Sequence, residues 1–436
     1  MFKDRKKELG LLKSLVGKPT LLVMYGRRRV GKTELLKEFA KSSRAIYLLA
    51  RRESKKDQLD KLARELAAAT GDKSLEGRPF KDYDAFFEYI AGLGRPVVFD
   101  EFPYLVESSP ELPSMLQDHW DNSLVKRKAY IVLCGSSISM MESLLGYKSP
   151  IYGRRTEQIL LEPLGFRDAR EFISDSLKEQ VEAYAVLGGT PGYLLELSGG
   201  LEKTIKEKIL QKNSFLGRDP EFVLREELTE PRNYFSIIKS IAKGHTALGE
   251  ICNDTGLGRG LVIKYLSVLS DLQIIERKVP FGEKRSSRRG IYLIRDNYFR
   301  FWFRFAFENY EYIEQGLQEK LYADIISPRL DAFVGKAFES ICLEWARDEY
   351  DIPFGAWWKG EVEIDGVGRD KRRSVLLEAK WSALDKKAAR KVLDSLRSKA
   401  EASGFKGELV LCAKSFKSRP KLKKDERVIV LEEMFG

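Results

Sequence analysis

The 436-residue chain is poor in the residues that build metal centres and covalent cross-links. It holds two histidines, His119 and His245, and four cysteines, Cys134, Cys252, Cys342 and Cys412, none closely spaced. Zinc clusters need Cys and His at short intervals, and disulfide frameworks need many cysteines in a short chain. Neither pattern is present, so the cysteines are expected to be free, buried thiols. Long apolar runs are also missing. The most apolar stretches, PTLLVMYG and YIVLCG, are strand-length, far short of the roughly 20 residues of a membrane-spanning helix. The segment MFKDRKKELG lacks the apolar core of a secretory leader, so the expectation is a cytoplasmic chain with no membrane partner. Neither internal repeats nor low-complexity linkers are visible.

What is present is ample apolar material, 43% of residues, which excludes a disordered chain. The length calls for several domains. Lys and Arg number 76 against 65 Asp and Glu, a net charge of +11. The excess is concentrated late: residues 277–289 hold six basic residues and one acid, and residues 383–427 hold fourteen and six. A basic excess so placed favours a polyanionic partner, DNA above all.

Through residue 160, compact apolar runs (19–25, 44–50, 95–100 and 129–135) alternate with helical patterns such as KTELLKEFAKS. That alternation predicts an α/β fold with a parallel sheet. Residues 161–230 read as helices broken at GGTPGY. Residues 231–297 read helix, helix, turn, helix, then two strands around a basic loop, the order of a winged helix-turn-helix. An aromatic helical linker follows over 298–330, and a second α/β segment over 331–436. In YFRFWFRFAFENYEYI the apolar face is too large to stay exposed, which favours a buried helix over a base-stacking surface.

The chemistry concentrates first at Gly26-Arg27-Arg28-Arg29-Val30-Gly31-Lys32-Thr33, followed by Glu34. It matches GxxxxGK[ST] between the strand TLLVMY and the helix TELLKEFA. Glycines let backbone N–H groups close around phosphate oxygens, and the helix N-terminus adds positive potential. Lys32 is expected on the β/γ-phosphates of ATP and Thr33 on Mg2+. VVFDE then supplies Asp100 as the second Mg2+-side group and Glu101 to polarise water. Ser136, at the end of YIVLCG, is placed to sense phosphate or orient water. Arg154 and Arg155 would add transition-state charge, in cis or across a homo-oligomer interface.

The series FKDRKKELGLL, GRRRVGKT, VVFDEF, LCGSS, GRR…LEPLGF and LGGTPGYL resembles the archaeal-type ATPases, P-loop NTPases related to the AAA+ and STAND groups. The resemblance covers roughly 1–230 and continues as that family's winged helix and fused C-terminal domain. It implies an adenine-side role for Phe2, Arg5 and Glu8, and a helical lid that contains Gly188–Gly192.

A second pattern lies at the C-terminal end. Glu339 sits on the helical GKAFESICLEWA, Asp365 is read at the end of the strand EVEID, and Glu378 and Lys380 share one face of SVLLEAKW. A helix acid, a strand Asp and Glu-x-Lys are similar to the PD-(D/E)XK nuclease core, a restriction-endonuclease-like fold. There the acids would take a second Mg2+, or Mn2+, and the lysine would orient water. An ion-paired face and a binding-only domain are the alternatives. Arg259 and Lys264 on the third helix of the winged segment, and Arg285, Arg288 and Arg289 in its basic loop, are candidate DNA contacts. The function expected is an ATP-binding, Mg2+-dependent ATPase that couples nucleotide state to DNA binding or processing; the alternatives are a nucleotide-dependent switch acting through protein contacts and a DNA-binding regulator with an inactive nuclease-like domain.

Overall fold

A computed structural model of the chain describes residue 3 and residues 5–228 and 231–436. Two compact units divide it, one ending at Glu162 and the other spanning Pro163–Gly436.

The first unit is built on five parallel strands: β1 (Thr20–Tyr25), β2 (Ile46–Leu49), β3 (Val97–Asp100), β4 (Tyr130–Gly135) and β5 (Glu157–Leu160). Their spatial order is β2-β3-β4-β1-β5. Strands β1 and β4 are buried at every position, as continuous apolar runs must be when helices cover both sheet faces. Leu35, Leu36 and Phe39, on the helix Lys32–Ser43, pack against Leu22, Met24, Val98 and Val132. The α/β class and the parallel sheet agree with the sequence reading. The edge strand β5 is an addition. Of its four residues only Ile159 is buried, so it lacks the apolar run that marks the other four.

The second unit begins with helices. Phe166–Ala169 takes its start from the C-terminal end of the chain's longest helix, Ser327–Tyr350: Glu344 accepts the backbone N–H of Phe166 at 3.0 Å. Phe166, with Val181 and Ala185 of Leu177–Leu187, lies in one core cluster with Phe338, Ile341, Trp345 and Phe435. Pro231–Lys243, Leu248–Thr255 and Arg259–Asp271 form a three-helix group. It is followed by an antiparallel pair, β6 (Ile275–Lys278) and β7 (Ile291–Ile294). The aromatic segment is interior: Tyr298, Phe299, Phe301, Trp302, Phe303 and Phe305 are buried, and Trp302 Nε1 donates to Gly217 O at 2.8 Å. That face is taken up by the core, while Phe307, Tyr310 and Tyr312 are part-exposed.

The C-terminal sheet is mixed. Its strands β8 (Phe354–Lys359), β9 (Val362–Arg369), β10 (Ser374–Leu384), β11 (Glu408–Phe416) and β12 (Glu426–Val430) lie in the order β12-β11-β10-β9-β8. Strands β8, β9 and β10 pair antiparallel, whereas β10, β11 and β12 run parallel. The helix Lys386–Ser403 makes the crossover from β10 to β11 that parallel neighbours require. It packs on one sheet face through Leu393 and Leu396. Ser327–Tyr350 covers the other through Phe338 and Ile341.

Candidate functional site

Residues 26–33 form the turn between β1 and the helix Lys32–Ser43. Two glycines in it are structurally required. Gly26 has φ 153°, and a Cβ there would lie 2.3 Å from Leu161 O. Gly31 precedes the helix at φ 99°. Arg29 holds a left-handed conformation, φ 67°, that is unusual for a side-chain-bearing residue. Val30 and Arg27 are buried, while Arg28, Arg29 and Glu34 are exposed. Glu34 pairs with Lys37 at 3.3 Å, away from the turn's interior. The Lys32 ammonium lies inside the turn and donates to Gly26 O at 2.6 Å and Arg27 O at 2.9 Å. Burial pulls its pKa below the ordinary lysine value, against the opposing pull of Cys134, Glu101 and Asp100.

The end of β3 meets this turn. Thr33 Oγ1 donates to Asp100 Oδ2 at 2.7 Å, and Tyr47 on β2 donates to the same oxygen at 2.6 Å. Asp100 is only 1% exposed, so these hydroxyls compensate a carboxylate that would be costly to bury alone. Burial, reinforced by Asp100, pushes the Tyr47 phenol pKa well up. A hydroxyl and a carboxylate held this close form a hard-oxygen pair that suits Mg2+. Glu101 next to it has φ 58°. Its carboxylate accepts the Ser136 N–H at 3.2 Å and also the Ser136 hydroxyl. Glu101 and Ser136 therefore belong to one hydrogen-bonded pair at the ends of β3 and β4. A non-glycine residue held at positive φ is typical of functional positions.

The arginine pair is engaged locally. Arg154 pairs with Asp121 at 2.8 Å. Arg155 donates to Leu145 O at 2.9 Å and lies over the Tyr152 ring. Phe2 lies outside the described residues. Arg5 reaches the phosphate-loop side, donating to Val30 O at 2.9 Å and Glu162 O at 2.6 Å, with Glu8 at 3.2 Å.

In the second unit, Asp365 lies in the middle of β9 and not at its end, because the strand runs on to Arg369. The register of β9 with β10 ends where Leu377 pairs with Gly366, the chain neighbours of Glu378 and Asp365. Glu378 and Lys380 face one another at 2.8 Å. Asp365 Oδ2 accepts the Ala379 N–H at 2.9 Å. Burial and the Glu378 charge raise the Asp365 pKa. Glu339 is pushed up to about 7 by burial and by Asp365, against the pull of Lys336. The four residues singled out in the sequence thus share one electrostatic neighbourhood. Lys399, from the helix Lys386–Ser403, joins them at 3.0 Å from Glu378. Among the described residues, no group of three or more His, Cys, Asp or Glu is arranged to hold a metal. Tyr47 and Lys399 carry no local sequence signal, since each is brought in by tertiary folding alone.

Arg259 and Lys264 are exposed on Arg259–Asp271, and Arg285 and Arg288 are exposed in the β6–β7 loop. Arg289 is engaged within the fold. Its guanidinium pairs with Glu283 and donates to Trp358 O at 2.8 Å, and Trp358 Nε1 donates back to Arg289 O at 3.0 Å. It fastens the loop to β8. Among the described residues, no helix is long and apolar enough to cross a membrane.

A family model described as an ATPase domain predominantly from Archaea matches residues 2–197. A second, described as archaeal and bacterial proteins of unknown function, matches residues 302–392. The uncharacterized protein MJECL04 of Methanocaldococcus jannaschii is 32% identical over 421 residues, covering 93% of both chains. Among solved structures, the Walker-type ATPase PABY2304 of Pyrococcus abyssi matches with a TM-score of 0.51 and 23% identity, over 70% of this chain and 96% of that one. That likeness establishes the fold. The Aeropyrum pernix ORC2 protein, in ADPNP–ADP complexes, matches with a TM-score of 0.48 and 14% identity, over 74% of this chain and 96% of that one. With a near full-length archaeal relative, an archaeal ATPase domain at its front and a sheet domain behind, the chain belongs to the archaeal-type family of P-loop ATPases.

Proposed function

We propose that the chain is an ATP-binding, Mg2+-dependent ATPase of the AAA+/STAND type whose nucleotide state sets how its C-terminal half engages DNA. The observation that carries the ATPase reading is the 2.7 Å bond from Thr33 to Asp100, which joins the phosphate loop to the acidic end of β3. In this reading the backbone N–H groups of 26–33 cradle the phosphates. Lys32 exchanges its two loop carbonyls for phosphate oxygens, and its buried position strengthens that charge–charge contact. Thr33 and Asp100 would hold the Mg2+, which supplies charge neutralisation at the phosphates when bound. Glu101 orients and polarises the attacking water, with Ser136 fixing its carboxylate. Arg154 must leave Asp121 before it stabilises transition-state charge, and a neighbouring subunit is the natural source of such a rearrangement.

We assign 161–230 to a helical lid, 231–297 to a winged helix-turn-helix, 298–330 to an aromatic helical linker and 331–436 to a nuclease-like domain. Arg259, Lys264, Arg285 and Arg288 are the proposed contacts to DNA phosphates. A second reading, signalling through protein contacts, draws on Leu261 and Ile263, which are 39% and 46% exposed on the same helix as Arg259. The test is ATP hydrolysis by the purified chain with and without duplex, single-stranded and branched DNA. Stimulation that falls with salt and with Arg259→Ala plus Lys264→Ala supports DNA coupling. Hydrolysis indifferent to every DNA points to the protein-contact reading, and no hydrolysis at all removes the ATPase.

A further inference from the structure

Four acids and three lysines lie along β9 and β10 and on the two helices, Ser327–Tyr350 and Lys386–Ser403, that flank the sheet. Glu378 is 6% exposed. Its Oε1 accepts from Lys380 Nζ at 2.8 Å and Lys399 Nζ at 3.0 Å, and its Oε2 accepts from Lys399 Nζ at 3.0 Å. Lys399 is therefore seated symmetrically across both oxygens, as a chelated cation would be. Asp365, also buried, uses Oδ2 for the Ala379 N–H. Glu339 uses Oε2 for Lys336 at 3.0 Å, and the largely exposed Glu363 stands 3.9 Å from the same lysine.

With Glu363 counted, four carboxylates stand against the ammonium groups of Lys336, Lys380 and Lys399, but Glu378 itself faces two of those ammonium groups. A divalent cation needs uncompensated carboxylate charge to offset the loss of its hydration shell. Here the most buried carboxylate already has ammonium groups on both oxygens, so a divalent cation placed against it would meet two like charges at contact distance. The donor set does not fit a resident Mg2+ or Mn2+.

We infer that Lys399 is the built-in counter-ion of Glu378 and that it closes this carboxylate cluster to divalent metal. The helix that carries it is held by Leu393, Leu396 and Ala400 in the core beneath the sheet, so the ammonium is presented by a fixed element and not by a loop. Lys380 alone touches a single oxygen and leaves the other open, which makes Lys399 the deciding group. This inference rests on the ion-pair geometry and is independent of the ATPase and DNA readings.

The test is Mn2+ binding to the full chain, followed by the loss of free-Mn2+ electron paramagnetic resonance signal. All variants carry Asp100→Asn and no nucleotide is added, so the phosphate-loop site contributes nothing. The parent chain is expected to take up no stoichiometric Mn2+ at millimolar concentration. Lys399→Met should create one site, binding at least about tenfold more tightly, because a unit charge within a few ångströms of the metal is removed. Lys399→Gln should behave alike, which guards against a folding defect in either variant. Adding Glu378→Gln to Lys399→Met should abolish the gained site. Stoichiometric, Glu378-dependent Mn2+ binding by the parent chain overturns the inference. So does a failure of both folded Lys399 variants to gain a site.

Discussion

Replacing Glu339 by Gln tests the electrostatics of the C-terminal cluster without any ligand. The Glu339 carboxyl rises from 4.5 to about 7 through burial and the Asp365 charge, while Lys336 opposes the rise. A carboxyl whose folded pKa exceeds its unfolded value is protonated in the folded chain and ionised in the unfolded one between those two pH values. The folded state then binds the extra proton, so stability falls as pH increases through that window. Below about pH 4.5 both states are protonated and the penalty vanishes; above about pH 7 it is complete. At about 1.4 kcal/mol per pKa unit the shift sets a ceiling near 3 kcal/mol. The side chain is 26% exposed, and solvent screening lowers the expectation to about 2 kcal/mol. Gln keeps the shape and removes the titration, and the Lys336 left behind is 58% exposed and readily hydrated. Glu339→Gln should therefore match the wild-type chain at pH 4.5 and unfold roughly 4–8 °C higher at pH 8, given 2–4 °C per kcal/mol for a unit of this size. The assay is differential scanning calorimetry of both chains from pH 4.5 to 8.5, following the transition of the second unit. A difference that does not change with pH, or a wild-type chain more stable at pH 8, would refute the reasoning.

Four further outcomes concern the first unit. Lys32→Ala should lose most ATP affinity and hydrolysis while the chain stays folded, as read by nucleotide titration and circular dichroism; unaltered affinity and rate would remove the phosphate-loop assignment. Glu101→Gln should keep ATP bound and slow its hydrolysis by about 10²–10⁴-fold, measured in single turnovers. Tyr47→Phe removes one of the hydroxyls on buried Asp100 and should cost about 1–2 kcal/mol in denaturant unfolding. Gly26→Ala would place its methyl against Leu161 O and should destabilise the unit by about 2–4 kcal/mol as well as weaken nucleotide binding; a variant with wild-type stability contradicts that close approach.

The parts of the site that were legible are those whose chemistry is contiguous in the chain. GRRRVGKT and VVFDE carry their glycines, lysine and acids beside the strands that aim them, so a local pattern specifies both the residues and their direction. The interior strands β1, β3 and β4 were readable because burial on both faces demands unbroken apolar runs, and the edge strand β2 because its apolar run IYLL still buries Ile46 and Leu48. Strand β5, at the other edge, has one buried residue and no such run. Glu378 and Lys380 were readable from the two-residue period of a strand. Lys399 was not, because it reaches Glu378 only through the crossover helix. Arg289 looked like its basic neighbours in sequence, and only the fold reveals that Glu283 and Trp358 occupy it. Phe166 likewise follows LEPLG in the chain yet belongs to the core built around Phe338 and Phe435.

The position of β5 gives the ATPase unit a defined fusion point. Strand β1, which feeds the phosphate loop, is flanked on one side by the strand with which the unit ends. Beyond that strand, the chain's last two residues in the unit stay on the loop: Leu161 donates its N–H to Tyr25 O at 2.7 Å, and a single guanidinium, that of Arg5, bridges the carbonyls of Val30 and Glu162. The point at which the chain leaves the unit is thereby tied to β1 and the phosphate loop by one main-chain hydrogen bond and one arginine side chain. A first unit cut before Leu161 should therefore be less stable than one cut after Glu162, because the shorter piece loses both ties.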